Sequence, residues 1–507
     1  MSAPAPAALT HGLGNQRAAA DPAASIWVAA NAGAGKTTVL VNRILRLMLA
    51  GIRPQAIFCL TFTKAAAAEM EQRLQQQLGD WATAPAEVLR QKLVDLAGRP
   101  VEDAELAPAR RLFARTLETP GGLQIQTIHA FCQSLLGRFP LEAGVPPHFQ
   151  VMEERGAAEL LAEARDDVLA SAASGSDPTL AAALRHVVAQ IDEAAFTDLL
   201  QDVARQRSRL RQVLRAHGDD IDAVIAATCK ALEVHPGDDD AGVIAAAAAD
   251  GSFDALGLER ACRALDAGSD KDRDRATKIR GWLRAGSSRA ALYQSDYLRV
   301  FLTKEGAGRK ENTLATKKVR ETDNSTLAVL LAEQERLLAV EDRRRAVRVA
   351  GSTAALWRLG AALIEAYQER KTVAALLDYD DLIFKSRDLL LRQGVAAWVL
   401  YKLDGGIDHI LVDEAQDTSP EQWQVVAALA EEFFSGSGAR EVTRTLFVVG
   451  DEKQSIFSFQ GADPAAFARM REAFAERVTA AGEDWREIEL ALSFRSAATV
   501  LQAVDAV

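Results

Sequence analysis

The chain has 507 residues, a formal charge of −11, and hydrophobic and charged fractions of 49% and 25%. These ordinary globular values exclude a disordered, collagen-like or coiled-coil chain overall, and the length suggests about three domains. No apolar run reaches the ~18 residues of a membrane span, and the first residues lack the charged and apolar regions of a secretion signal. Four cysteines without metal-ligand spacing suit a reducing compartment. We therefore expect a cytoplasmic protein with no membrane contact.

The predicted secondary structure changes twice along the chain. Residues 24–140 alternate short apolar strands with helical stretches, which predicts a parallel sheet covered by helices. Residues 150–370 are alanine-rich with a helical period, and residues 371–480 return to strands. The strand candidates read SIWVAA, AIFCLTF, HILVDE, TLFVVGDE and EIELAL, and the first two helix candidates read KTTVLVNRILRLML and KAAAAEMEQRLQQQL.

A glycine-bearing loop follows the first strand. Residues 30–37 read Ala-Asn-Ala-Gly-Ala-Gly-Lys-Thr, which matches the phosphate-loop pattern G-x-x-x-x-G-K-[ST] except that alanine replaces the first glycine. Gly33 and Gly35 let backbone N–H groups face phosphate oxygens at the positive end of the next helix. Lys36 would reach the β- and γ-phosphates of ATP, and Thr37 would hold Mg²⁺. The alternative is a glycine-rich turn with a solvated lysine. The predicted ATP-binding residues here are Ala30, Asn31, Ala32, Gly33, Ala34, Gly35, Lys36, Thr37 and Thr38.

A second motif ends a later strand. Residues 409–417 read His-Ile-Leu-Val-Asp-Glu-Ala-Gln-Asp, so an apolar strand delivers Asp413 and Glu414 to its carboxyl end, where α/β proteins bind ligands. Asp413 would complete the Mg²⁺ shell, and Glu414 would orient and deprotonate the attacking water. The alternative is a plain acidic strand end. Because 377 residues separate Lys36 from Asp413, the helical zone is most simply an insertion into one sheet domain.

Further motifs occur in order along the chain. They are Gln16 within GNQR, LTFTKAA at 60–66, TIHAFC at 127–132, LDYDDL at 377–382, DEAQDTSP at 413–420, VGDEKQSIF at 449–457 and LSFRS at 492–496. With these motifs the sequence resembles UvrD-like superfamily-one DNA helicases and, more narrowly, AddA-type helicase-nuclease subunits. The resemblance spans about residues 10–500. It lacks the motifs that complete the second core domain and the C-terminal nuclease domain of the AddA type.

The resemblance implies an α/β fold. It consists of a RecA-like P-loop parallel sheet domain with a large, mostly helical insertion and the beginning of a second RecA-like domain. Residues 1–145 and 371–482 would form the first RecA-like ATPase domain, and residues 146–370 the DNA-contacting helical insertion. Residues 483–507 would begin the second domain. The last residues predict an apolar helix with no closing cap, so we expect the chain to be truncated within that domain.

The resemblance also assigns roles to single residues. Gln16 would read the adenine, and Gln454 would sense the γ-phosphate and link it to the DNA site. Arg495 would reach the γ-phosphate from the second core domain, where a guanidinium offsets charge on the transferred phosphoryl group. The alternative for this arginine is a surface position after a strand. The predicted catalytic residues are Lys36, Glu414, Gln454 and Arg495, and the predicted metal ligands are Thr37 and Asp413.

Single-stranded DNA is expected along the same sheet edge. Aromatic side chains there would stack on any base, at about 1–3 kcal/mol per stack, while threonine hydroxyls and an imidazole would bond phosphates. The alternatives are core packing for the phenylalanines and a structural role for the histidine. The residues expected to contact DNA are Thr61, Phe62, Thr63, His129, Phe457 and Phe459.

One part of the insertion is strongly basic. Residues 271–320 hold fourteen Lys and Arg against five Asp and Glu, within a chain whose net charge is −11. Four aromatic residues interleave with them, which suits a surface that contacts duplex or single-stranded DNA; the alternative is a solvated helix face over a small core. The aromatic residues are Trp282, Tyr293, Tyr297 and Phe301. For the arginine run at 343–345 we expect an exposed helix face.

Together these features predict an ATP-dependent 3′-to-5′ DNA helicase or translocase core for double-strand-break repair. The expected cofactors are ATP and Mg²⁺. The expected partners are single-stranded DNA, duplex DNA ends and an AddB-like partner protein. Two alternatives remain open: a truncated ATP- and DNA-binding fragment without helicase activity of its own, and a P-loop ATPase that moves protein, which would leave the basic segment unexplained.

Overall fold

The fold is described from a computed structural model that covers residues 6–31, 33–404, 406–434, 443–454 and 463–494. The chain divides into two compact units. The first unit, called the sheet unit, combines the segment up to Glu153 with the segment from Ala375 onward. The second, called the helical unit, is Glu154–Ala374. The predicted insertion, residues 146–370, differs from this helical unit by eight residues at its start and four at its end.

Eight strands lie within the described residues, all of them in the sheet unit. Six form one parallel sheet in the order β3-β2-β6-β7-β1-β8, and β4 pairs with β5 in a separate two-stranded ladder. The strands are β1 (Ser25–Ala30), β2 (Ile57–Thr61), β3 (Gln124–Thr127), β4 (Gln150–Val151), β5 (Leu376–Leu377), β6 (His409–Val412), β7 (Thr445–Gly450) and β8 (Trp485–Leu490).

The α-helices are numbered along both units. They are α1 (Pro6–Ala19), α2 (Lys36–Leu49), α3 (Lys64–Thr83), α4 (Ala86–Ala97), α5 (Asp103–Glu118), α6 (Ile128–Arg138), α7 (Glu154–Ser174), α8 (Pro178–Val188), α9 (Glu193–Arg205), α10 (Arg207–Ala216), α11 (Ile221–Ala231), α12 (Asp240–Ala248), α13 (Ala255–Asp266), α14 (Asp270–Arg284), α15 (Arg289–Leu292), α16 (Leu298–Phe301), α17 (Glu311–Leu314), α18 (Lys317–Thr322), α19 (Asn324–Val373), α20 (Tyr379–Leu391), α21 (Ala396–Asp404), α22 (Pro420–Ala430) and α23 (Pro464–Ala480). Among the described residues, no helix is long and apolar enough to cross a membrane.

The large sheet is buried on both faces, which explains why its central strands read as continuous apolar runs. Alternate residues of a strand point to opposite faces. Ile26 and Val28 accordingly belong to one hydrophobic cluster, with residues of α2, α3 and α5. Trp27 belongs to the other cluster, where its ring stacks on Trp423 of α22 with centroids 5.8 Å apart. The helices thus form a layer on each face of the sheet.

The predicted start of a second domain at residue 483 is wrong for β8. This strand pairs in parallel with β1 along its whole length, from Ser25 opposite Trp485 to Ala30 opposite Leu490. The physical reason is burial, because Leu490 enters the core of the first sheet and β8 covers the edge that β1 would otherwise expose. Residues 495–507 lie outside the described residues.

The helical unit is organised on one long helix. Helix α19 runs for 50 residues and contributes to three separate hydrophobic clusters. Leu330 and Leu337 pack with the α13–α16 region, Val347 with α11, and Leu359 with α7 and α8. No β-strand lies among the described residues of this unit, as the helical period of the sequence indicates.

Two expectations about surface residues in the helical unit are wrong. The four aromatic residues of the basic segment are 0–1% exposed and belong to its core, so they are not available to stack on bases. Trp282 stacks on Tyr297 with ring centroids 3.7 Å apart. Arg344, expected on an exposed helix face, is 2% exposed because Asp240 and Glu341 bind its guanidinium.

Candidate functional site

The carboxyl ends of all six strands of the large sheet meet at one edge, because the strands are parallel. The register places Ala29 beside Gly450, and Leu60 beside Val412. The glycine-bearing loop after β1 therefore lies near the acidic residues that follow β6. Lys36 Nζ and Glu414 Oε2 are 2.6 Å apart, although 377 residues separate Lys36 from the neighbouring Asp413.

The loop after β1 has the backbone geometry of an anion-binding turn. Gly33 and Gly35 have φ angles of +74° and +90°, in the left-handed region that favours glycine. Helix α2 begins directly afterwards at Lys36, and no side chain caps its first turn. Its first N–H groups are therefore available to an anion, and the helix dipole adds to their field. Ala32 lies outside the described residues.

The ion pair between Lys36 and Glu414 is the centre of the site. The Lys36 side chain is 11% exposed and that of Glu414 is 35% exposed. Glu414 has a φ of +50°, which is unusual for a residue other than glycine. Such a backbone costs on the order of 1–3 kcal/mol and is typical of functional sites. The turn lets the Glu414 carboxylate face the loop after β1.

Asp413 is nearly buried beside this pair. Its backbone N–H donates to Leu60 O at 2.8 Å, and its Oδ1 accepts from Glu414 N–H at 3.0 Å. Burial raises the pKa of Asp413 to about 7; the Glu414 charge raises it further, whereas Lys36 lowers it. A cation beside this carboxylate would favour its ionised form.

A hydrogen-bonded chain extends from Glu414 to the end of β7. Gln416 Nε2 donates to Glu414 Oε2 at 2.8 Å, and Gln416 Oε1 accepts from Asp451 N–H at 2.9 Å. The Asp451 carboxylate in turn accepts from the Gln454 amide. A Cβ on Gly450 would lie 2.8 Å from Gln416 Oε1, so only glycine allows this approach. The sequence analysis missed Gln416 and Asp451, although both lie inside quoted motifs.

These residues form one connected group, which we call the carboxyl-edge site. Its members are Lys36, Asp413, Glu414, Gln416, Asp451 and Gln454. Thr37 follows Lys36 on the first turn of α2. Among the described residues, no group of three or more His, Cys, Asp or Glu side chains could hold a metal ion. A magnesium ion would therefore rely on Asp413, Thr37 and the oxygens of the nucleotide.

The predicted adenine-reading residue contacts the phosphate loop itself. Gln16 Nε2 donates to Ala34 O at 2.9 Å, and a Cβ added to Gly35 would lie 2.7 Å from that nitrogen. The segment after β8 binds the same loop, because Phe494 N–H donates to Gly33 O at 2.9 Å. Arg495, the next residue, lies outside the described residues.

The predicted DNA-contacting residues lie at the ends of β2 and β3. Thr61 is 3% exposed and its hydroxyl donates to Thr63 O at 3.1 Å, while the Thr63 hydroxyl caps α3. Phe62 is half-buried. His129 lies edge-on to the Tyr379 ring, with centroids 5.3 Å apart.

The imidazole of His129 is held mainly neutral. Burial lowers its pKa, and the charge of Asp380 only partly opposes the shift. A neutral imidazole is a weaker phosphate partner than an imidazolium. Phe457 and Phe459, the other two aromatic candidates, lie outside the described residues.

Comparison with known proteins gives consistent matches over this chain. A family model described as UvrD/REP helicase N-terminal domain matches residues 14–475. A relative from Pelotomaculum thermopropionicum, named as the AddA component of an ATP-dependent helicase/nuclease, is 26% identical over 506 residues, covering 95% of this chain and 37% of that protein. Proteins of the same name from Desulforudis audaxviator and Lactobacillus helveticus are 27% and 25% identical, with 38% and 39% of their lengths covered. The chain thus spans less than two-fifths of the length of these relatives.

Proposed function

The chain belongs to the UvrD/REP helicase family, and from this premise we propose that it hydrolyses ATP at the carboxyl-edge site to move along single-stranded DNA. One observation carries the proposal. The loop lysine and the acidic strand end, far apart in sequence, meet in an ion pair of 2.6 Å between Lys36 and Glu414. Phosphate binding and water activation are thereby assigned to one pocket.

Nucleotide binding would rearrange this ion pair. The loop N–H groups and the start of α2 would hold the phosphates, and the Lys36 ammonium would turn from Glu414 to the β- and γ-phosphates. Gln16, already bonded to Ala34 O, would meet the adenine and so connect base recognition to the loop. Glu414 would be released from Lys36 only when a triphosphate is present.

The released Glu414 would act as the general base. Its carboxylate would orient a water on the γ-phosphorus and accept the proton as the new P–O bond forms and the bond to the β–γ bridging oxygen breaks. Gln416 keeps one hydrogen bond to Glu414 and so fixes the direction of the carboxylate. Magnesium, held by Asp413 and Thr37 through oxygen ligands, would neutralise phosphate charge when bound.

Communication with DNA would use the chain from Gln416 through Asp451 to Gln454. The residues expected to hold bases, at positions 457 and 459, follow Gln454 closely in the sequence. A change at the γ-phosphate would therefore reach the DNA-holding segment through three hydrogen-bonded side chains. Differential affinity of two conformations for ATP would then supply the stepping.

We further propose the cellular role that the AddA-type resemblance implies. It is 3′-to-5′ movement in the repair of double-strand breaks, in the cytoplasm, on DNA ends and beside an AddB-like partner. The helicase/nuclease name of the matched relatives supports this role. Arg495 would complete the ATP site from a second RecA-like domain.

The test combines ATP turnover with strand separation by the 507-residue chain. We expect a single-stranded oligonucleotide to stimulate ATP turnover, and a duplex with a 3′ overhang to be opened in preference to one with a 5′ overhang. Stimulated turnover without opening of either duplex would favour the alternative of an ATP- and DNA-binding fragment. Turnover that ignores DNA would contradict the proposal and favour a P-loop ATPase with another cargo.

A further inference from the structure

The basic segment of the helical unit divides into paired and unpaired cations. Six of its fourteen Lys and Arg side chains form ion pairs with carboxylates. The other eight form no ion pair with any described residue. They are Lys271, Arg284, Arg299, Lys304, Arg309, Lys310, Lys318 and Arg320. Unpaired cations are the ones that an external anion can bind without displacing a carboxylate.

Three of these unpaired cations line one cavity of about 390 Å³. Lys271 lies in the first turn of α14, and Arg299 and Arg309 lie on α16 and on the turn that follows it. The cavity lining also includes Arg275 and Lys278, so five of its eight residues are basic and two are acidic. The positive charge is therefore concentrated in a concave place rather than spread over a helix face, which focuses the field on an anion.

The wall that carries Arg309 is held by backbone bonds. Its N–H donates to Phe301 O at 2.9 Å, and its Nε donates to Arg299 O at 3.0 Å. The amide of Gln334 on α19 donates to both Phe301 O and Arg309 O, at 2.8 and 2.9 Å. The cation is thus positioned before any ligand arrives, which lowers the entropy cost of binding.

The opposite wall holds a second fixed arginine. Arg275 is 15% exposed, and its Nη1 lies 3.1 Å from Oδ1 of the fully buried Asp272. Burial lowers the pKa of Arg275, Asp272 opposes the shift, and the nearby charge of Arg309 lowers the pKa further. Two guanidinium groups therefore repel each other across this cavity, and an anion between them would relieve the repulsion.

The chemistry of the lining indicates a phosphate backbone rather than exposed bases. The aromatic residues of the segment are buried; Tyr297 OH, for example, donates to Glu333 at 2.6 Å. The lining residues include no aromatic side chain. A site for single strands combines basic residues with stacking rings, whereas duplex DNA presents its phosphates outward and needs only fixed cations.

We propose that this cavity, lined by Lys271, Arg275, Arg299 and Arg309, binds backbone phosphates of duplex DNA. The inference goes beyond the proposed ATPase, because it assigns a separate nucleic-acid site to the helical unit and uses no residue of the carboxyl-edge site. It requires neither ATP nor movement. Binding through fixed cations predicts little sequence preference and strong salt dependence.

The test is duplex affinity as a function of salt for the 507-residue chain without nucleotide. The probe is a fluorescent blunt 25-base-pair duplex, compared with a single strand of the same length. Lys271→Glu/Arg299→Glu changes two exposed cavity residues that form no ion pair with described residues. We expect it to weaken duplex binding on the order of tenfold and to reduce the slope of log K against log salt by about 2. Single-strand affinity should change less than about twofold.

The matched control is Lys304→Glu/Lys318→Glu, which makes the same charge change on exposed residues outside the cavity lining. An equal loss of duplex affinity in this control would show a diffuse field and overturn the cavity assignment. An equal loss for duplex and single strand would overturn the choice of duplex. Lys271→Gln/Arg299→Gln and thermal melting of each variant separate loss of binding from loss of fold, since a native melting profile without any binding defect refutes the site.

This outcome is distinguishable from failure of the proposed function. Lys36→Ala should keep the duplex affinity and its salt slope, since the cavity shares no residue with the carboxyl-edge site. Lys271→Glu/Arg299→Glu should keep ATP turnover stimulated by single strands. Loss of turnover in the cavity variant with unchanged duplex binding would contradict the cavity proposal alone.

Discussion

The two ends of the large sheet use buried charge in opposite ways. At the amino end, Arg43 is fully buried and donates to Ala24 O at 2.7 Å and Thr445 Oγ1 at 2.9 Å. His409 shares the same threonine hydroxyl at 2.8 Å. At the carboxyl end, Lys36 and Glu414 are partly exposed, and Asp413 has a raised pKa.

The difference separates a structural network from a site prepared for ligand. At the amino end the charged group is satisfied by oxygens of the protein and has no access to solvent. At the carboxyl end the charges satisfy one another only partly, on a strained turn at Glu414. A triphosphate would improve the electrostatics at the carboxyl end and would have nothing to bind at the amino end.

The largest expected effect breaks catalysis at the carboxyl end. Glu414→Gln should slow ATP hydrolysis about 10²–10⁴-fold because the general base is lost. ATP affinity should stay within a few-fold, since the loop and Lys36 remain. Steady-state turnover and equilibrium ATP binding check the two statements. The control is Glu472→Gln, an exposed change on α23; parallel loss of binding and hydrolysis in Glu414→Gln would refute the role.

The next effect breaks the amino end and concerns stability alone. Arg43→Leu should lower the free energy of unfolding by about 2–4 kcal/mol, because buried acceptors lose a charged donor. ATP affinity of the folded variant should not change. Urea unfolding measures the loss, and Arg111→Leu on the exposed face of α5 provides the comparison. A variant as stable as the parent chain would show that this network is dispensable.

A smaller effect exchanges activity for stability at the carboxyl end. The folded pKa of Asp413 is raised to about 7, so its ionisation opposes folding increasingly as pH rises from about 4 to 7. In the absence of magnesium at pH 8, Asp413→Asn should therefore raise the free energy of unfolding by about 1–3 kcal/mol, while turnover is lost. The exposed Asp95→Asn should change neither quantity. A destabilised Asp413→Asn would contradict the assignment.

The smallest effect is a pH dependence of opposite sign at the amino end. Burial lowers the pKa of His409 to about 3, and the charge of Arg43 lowers it further. Below pH 6.5 the unfolded chain gains a proton that the folded chain does not, so stability falls by about 1.4 kcal/mol per pH unit down to the folded pKa. His409→Gln should lack this component when unfolding is compared at pH 6 and pH 5. Identical slopes for both proteins would place a charged histidine in the fold.

The sequence predicted the parts of the sheet that depend on local pattern. The apolar runs that become β1, β2, β6 and β7 are continuous because both faces of the sheet are covered. Strand β3 was missed because Gln124–Thr127 is short and polar. The sheet that β8 joins was predicted wrongly because strand pairing is non-local and leaves no mark on the strand itself.

The site shows the same limit. Lys36, Asp413 and Glu414 were found because their spacing to strand and helix is local, whereas the partner of Gln416 lies 35 residues away and no periodicity reports it. The aromatic residues of the basic segment were assigned to the surface because alternating rings and cations suit a nucleic-acid face and a small core equally. Only the packing of α13–α16 against α19 separates the two interpretations.

The most direct test is ATP turnover of Lys36→Ala, measured with and without single-stranded DNA beside Lys92→Ala, a surface lysine paired with Asp80 whose side chain is 40% exposed. We expect turnover by Lys36→Ala to fall to background in both conditions, since no other cation in the carboxyl-edge site can neutralise the phosphates, while Lys92→Ala keeps the parental rate. Parental turnover by a folded Lys36→Ala protein would contradict the assignment of this pocket as the ATP site.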